Sequence, residues 1–170
     1  FHSKTSMAAC TRLMPVEQDG IGLNVVATTS ILGDVVTNIG ADLIDLDVLL
    51  PVGTDPHAFF PRRRDLAVVS QADVIFVIGL DLESAIEPFL ADLDGGLVFE
   101  VSAGIDVISG TSTGSETHLD SGEYDPHVWM DPNNVSVWVD NICEALVAAD
   151  PEHARDRAGY GGWPERDPPG

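Results

Sequence analysis

The sequence predicts an α/β domain: a doubly wound parallel sheet with helices on both faces. Three observations carry this reading. Short β-rich runs alternate with stretches of helical period. The run at residues 74–78 is apolar without a break, as a strand covered on both faces must be. Gly and Pro, among them Gly40, Pro51 and Gly53, punctuate the joins between elements.

Taken in order, residues 1–20 have no period and read as a tether, and the ordered lobe spans residues 21–154. A strand at 24–28 is followed by Ser30, a good helix N-cap, and then by Ile31, Val35, Val36 and Ile39 at helical spacing up to Gly40. A second strand at 46–50 ends in a turn-rich loop, 51–61, which leads into a helix near 65–71. After the strand at 74–78 come a helix near 84–93, a strand at 97–101 and a short one near 105–108. Residues 109–123 are rich in Ser, Thr, Gly and acids and read as a loop. Asp131-Pro132 supplies an N-cap and a first-turn proline for a last helix, with Val135, Trp138, Val139, Ile142 and Leu146 on one face. Residues 155–170 are Gly-, Pro- and charge-rich and do not continue the fold.

The 170 residues, 44% hydrophobic, suffice for one core. Their formal charge is −20, from 28 acids against 8 bases, and Lys4 is the sole lysine. Such a surface repels nucleic acid and attracts cations. The same composition suits concentrated salt, where self-repulsion is screened within a few Å. No stretch reaches the roughly 18 apolar residues that span a bilayer. Cys143 falls in a helical pattern and reads as a small buried side chain. Cys10 closes Ser6-Met7-Ala8-Ala9-Cys10, which resembles a lipoprotein cleavage site; lipid anchor and plain tether both stay open.

The chemistry lies in a tripeptide used twice, Asp55-Pro56-His57 and Asp125-Pro126-His127. Proline fixes φ and biases the preceding residue to extended geometry, so each histidine is presented from a stiff turn. Imidazole is a common ligand for divalent transition metals, and a bound ring needs an acceptor for its other N–H. Asp55 and Asp125 are candidates for that acceptor, or for capping their own turns. From the tripeptides alone, a paired metal site and two turn histidines satisfied by backbone both remain open.

Residues 23–154 resemble the metal-binding solute receptors of ABC transporters for zinc and manganese. The matching stretches include Val25 to Leu32, Asp34-Val35-Val36, Leu50-Pro51, Gly53 to His57, Asp65-Leu66, Ala72 to Phe76, Asp125 to Pro132 and Asp150-Pro151. The resemblance implies two α/β lobes joined by a long helix, with Zn²⁺ or Mn²⁺ held between them. It implies that His57 and His127 are the first lobe's ligands, the second lobe adding a histidine or glutamate and usually an aspartate. It further implies an extracytoplasmic location and docking on a membrane permease. No second lobe is found in these 170 residues, so a truncated or frameshifted product is expected.

His118 stands in an acidic loop where zinc-selective members often carry a metal-collecting insertion; one histidine makes a thin example, and a solvated loop is the plainer reading. His153 reads as a surface residue and His2 as inert. Arg62-Arg63-Arg64, the sole basic cluster, departs from the small residues usual there and reads as a solvated helix start paired with Asp65. Two rival classes remain, a zinc-dependent hydrolase and a nonfunctional fragment. Against the hydrolase, the chain has no H-E-x-x-H helix, nucleophile elbow or phosphate-cradling glycine loop. If the acidic surface is an adaptation to salt, circular dichroism should show the fold lost on dialysis to low salt; an unchanged spectrum contradicts the adaptation.

Overall fold

The computed structural model describes residues 22–56, 59–91, 98–107 and 124–154. The tether, the tail, Cys10, His57 and His118 lie outside the described residues. Along the chain run β1 (Leu23–Thr29), α1 (Ser30–Gly40), β2 (Ile44–Leu50), α2 (Arg63–Val69), β3 (Val74–Val77), α3 (Glu87–Leu90), β4 (Val98–Glu100) and α4 (Pro132–Ala149).

The strands form one sheet in the order β2-β1-β3-β4, every pairing parallel. Ala27 of β1 lies opposite Val48 of β2 and Phe76 of β3, so β1 and β3 are interior strands. Period-two alternation divides their side chains between two cores. Val25, Ala27, Val74 and Phe76 pack with Leu32, Val36 and Ile39 of α1 and with Trp138, Ile142 and Leu146 of α4. Val26, Ile75 and Val77 pack on the other face with Val69 of α2 and Leu90 of α3. Each large side chain buried this way contributes about 2 kcal/mol. The doubly wound reading holds.

The departures are local. Thr29, not Ser30, caps α1, its Oγ1 accepting from the Leu32 N–H at 3.2 Å. The extended strand runs straight into the helix, which moves the cap one residue back. Ile31 is 44% exposed, and Leu32, Gly33, Val36, Ile39 and Gly40 form the buried face. The expected helix at 84–93 contracts to the single turn of α3. Residues before it spend their hydrogen bonds in turns, with Ser84 N–H donating to the Asp81 carbonyl and Ile86 N–H to the Glu83 carbonyl. Residues 105–107 form no strand, although Ile105 and Val107 pack on the core; Ile105 N–H turns back to the Ser102 carbonyl at 3.1 Å.

Polar bonds lock α4 onto the turn that follows β4. The Asn141 amide donates to the carbonyls of Val101 at 2.7 Å and Ala103 at 3.0 Å. The indole N–H of buried Trp138 donates to Ser102 Oγ at 3.2 Å. Cys143 is a half-buried free thiol. Burial pushes its pKa up, with Asp140 and Glu144 adding to the shift, which suits a packing role. Among the described residues no helix is long and apolar enough to cross a membrane. Trp138→Ala should cost about 4 kcal/mol in urea unfolding, from lost packing and an orphaned Ser102 hydroxyl; a loss below about 1 kcal/mol contradicts its place in the core.

Candidate metal centre

In a parallel sheet every strand ends at the same edge, and ligands bind beyond it. The loop carrying Asp55-Pro56-His57 leaves β2 there, and a turn closes its start, Thr54 N–H donating to the Pro51 carbonyl at 3.1 Å. Helix α4 runs antiparallel to the strands. Its final residues Ala148 and Ala149 line a cavity with Leu23 and Val74, the first residues of β1 and β3. Its first turn therefore sits at the strands' C-terminal edge, and so does Asp125-Pro126-His127 just ahead of it. The topology thus brings both tripeptide segments to one edge. The ring of His57 itself lies outside the described residues.

The second tripeptide is fixed in detail. Asp131 caps α4, its Oδ1 accepting from Asn133 N–H at 2.9 Å. Immediately before it, Val128–Met130 forms one 3-10 turn that buries Val128 and points the chain back towards His127. Asp125 Oδ1 meets both the backbone N–H of His127, at 3.0 Å, and its ring Nδ1, at 2.7 Å. The expected alternatives for this aspartate, turn cap and ring acceptor, are both realised by one oxygen. The backbone bond first, then the ring, lowers the Asp125 pKa, so it is held ionised and can only accept. Facing this acceptor, the ring Nδ1–H is the donor of the 2.7 Å contact. The His127 side chain is 51% exposed.

Behind the ring stands a run of aromatics. His127 and Trp129 meet edge-on with centroids 5.1 Å apart, and Trp129 and Trp138 are 6.3 Å apart. The half-exposed imidazole is thereby braced against the buried indole of α4. One half-exposed imidazole can offer a single donor to a divalent metal but cannot enclose it. Among the described residues no three of His, Cys, Asp and Glu converge closely enough to hold an ion. His153, expected at the surface, is instead partly buried with Nδ1 2.8 Å from Asp150 Oδ2, and it follows α4 at the opposite edge.

Beneath the same edge lies a residue the sequence did not announce. Glu83 is only 4% exposed and forms no ion pair among the described residues. Its Oε1 accepts from Thr28 Oγ1 at 2.6 Å and Ile78 N–H at 2.8 Å, and its Oε2 from Gly79 N–H at 3.0 Å. It ties the end of β1 to the loop after β3, where Gly79, Leu80 and Asp81 all have positive φ. A Cβ at Gly79 would collide with the Glu100 side chain, so glycine is required there twice over. The available signal was an acid set between Leu82 and Ile86 just after a buried strand.

The profile of ZnuA, zinc-uptake complex component A periplasmic, matches residues 25–158. The chain belongs to the ZnuA family. It is 36% identical over 160 residues to the manganese ABC transporter substrate-binding lipoprotein PsaA of Streptococcus anginosus, an alignment covering 90% of this chain and 50% of the relative. It superposes on the periplasmic zinc binding protein TroA of Treponema pallidum with a TM-score of 0.70 at 30% identity, covering 82% of this chain and 48% of that one. A Mn-bound periplasmic metal binding protein from Candidatus Liberibacter asiaticus gives a TM-score of 0.69 at 31% identity, over 80% and 49% of the two chains. The chain spans about half the length of the relatives it matches. The resemblance read from the motifs is borne out, and so is the α/β class.

Burial raises the Glu83 pKa against the opposing Thr28, Ile78 and Gly79 bonds. Its folded carboxyl thus prefers the proton more than the unfolded one does, and stability from this group declines as pH rises through the raised value. Glu83→Ala should cost about 2 kcal/mol by urea titration, leaving a hydroxyl and two amides unsatisfied. Glu83→Gln should flatten this part of the stability–pH curve. A curve identical to wild type contradicts burial as the cause.

Proposed function

We propose that this chain captures Zn²⁺ or Mn²⁺ outside the cytoplasm and presents it to a membrane ABC transporter. His57 and His127 serve as ligands through neutral imidazole nitrogens, with Asp125 holding the second ring. The supporting observation is the single Asp125 oxygen that binds both the amide and the ring of His127, at the sheet edge where ligands gather. Family membership adds weight, and so do the metal-transport names of the relatives. In the same reading, residues 21–154 form the first metal-binding lobe, Cys10 in the tether is the lipid-anchor residue, and His118 is a marginal metal contact at most.

Two imidazoles leave other coordination positions to water or further donors, so the site is a half-shell that holds metal weakly. Borderline imidazole donors suit either metal, and nothing on these residues separates the two. The membership is in a transport family, which disfavours the zinc hydrolase. A carrier with this chemistry should bind metal without turning over an activated ester.

Calorimetric titration of the chain with Zn²⁺ tests the assignment. Wild type should bind, His57→Ala and His127→Ala should each abolish the signal, and Asp125→Ala should weaken it about 10-fold by freeing the ring. Undiminished binding by both histidine variants would falsify the half-shell.

A further inference from the structure

The chain has eight Lys and Arg residues, and the five other than Arg62, Arg63 and Arg64 all lie outside the described residues. Every positive side chain of the described fold is therefore gathered in three consecutive positions on an otherwise acidic body. All three arginines are exposed. Among the described residues both ion pairs are His–Asp contacts, and neither involves an arginine. Asp65, the expected partner, spends Oδ2 on the backbone N–H of Arg62 at 2.7 Å, a cap that any side chain at 62 would permit. Arg63 and Arg64 open α2, where the helix dipole disfavours cations. Among the described residues no ion pair offsets this charge.

Directly before them Phe60 is 83% exposed, although its neighbour Phe59 packs into the core. In the same loop Val52 is 89% exposed. An exposed aromatic followed by arginines is the composition of interface anchors, since both residue types are enriched where binding energy concentrates. Arginine, unlike lysine, meets carboxylates with two parallel hydrogen bonds.

We propose that Phe60 and Arg62–Arg64 form the docking surface for the membrane transporter, meeting an apolar pocket rimmed by carboxylates on its outer face. This deepens the functional reading and rests on it for the partner's identity. Charge decides between occupants. An anionic bilayer repels the chain's net −20 over its whole area, which three arginines do not offset. A confined acidic pocket meets only the basic spot, and the surrounding acids then orient the approach. Because the spot follows the Asp55-Pro56-His57 loop, docking there places the partner beside the metal-bearing edge.

The test measures association of the 170-residue chain with the transporter in phosphatidylcholine nanodiscs. Empty nanodiscs rich in phosphatidylglycerol serve as the second target. R62Q/R63Q/R64Q and F60A should each weaken transporter binding by at least about tenfold. R62E/R63E/R64E should weaken it further, and acids in the first turn favour α2, so the variant keeps its helix. Circular dichroism and zinc titration should match wild type for every variant. Equal transporter binding by the triple variants overturns the proposal, as does no binding by wild type, or binding to the anionic lipid as tight as to the transporter. The metal reading stands or falls separately, on the zinc titration of the histidine variants.

Discussion

Burying β1 and β3 on both faces is the constraint from which the rest follows. Along most of their length both strands bury apolar side chains, with Thr28 and Thr29 at the end of β1 the buried polar ones, so whatever chemistry the lobe carries is pushed to the strand ends. Parallel pairing puts all those ends at one edge. The connections leaving β1, β2 and β3 emerge together there, and the helix that closes one core, α4, must return its first turn to the same place. The two Asp-Pro-His segments are thus brought together by topology, although roughly seventy residues separate them in sequence.

At that edge one contact converts a turn into a ligand mount. A histidine on an exposed loop is ordinarily free in both ring orientation and tautomer. Asp125 restricts the ring with one oxygen: the bond to the His127 amide shapes the turn, and the bond to Nδ1 orients the ring. Pro126 between them limits the backbone, and Trp129 and Trp138 brace the ring against the core. Under the edge, buried Glu83 holds the end of β1 to a loop with three consecutive positive φ angles. Trp138 and Glu83 are buried, whereas the His127 ring is half exposed.

Much of this was legible in the sequence, for stated reasons. The unbroken apolar run of β3 marks a strand with two covered faces, and Asp131-Pro132 marks the start of α4 by capping chemistry that depends only on neighbours. The tripeptides were legible because proline constrains locally. What was not legible depended on distance. Glu83 finds Thr28, 55 residues away, and no local pattern announces that pairing. The helix expected at 84–93 gave way to turns over its first residues, where Ser84 N–H donates to the Asp81 carbonyl and Ile86 N–H to the Glu83 carbonyl. The cap of α1 slipped by one residue because Thr29 and Ser30 are equally good caps, and only the end of β1 chooses between them.

The proposed metal role of His127 depends on Asp125 holding its ring through Nδ1. Long-range ¹H–¹⁵N correlation spectroscopy of the histidine rings, recorded at neutral pH before and after zinc is added, tests it most directly. The expected result is an Nδ1–H tautomer for His127 in the metal-free chain and a zinc-induced shift confined to its Nε2. An Nε2–H tautomer, or a ring whose nitrogens do not respond to zinc, would contradict it.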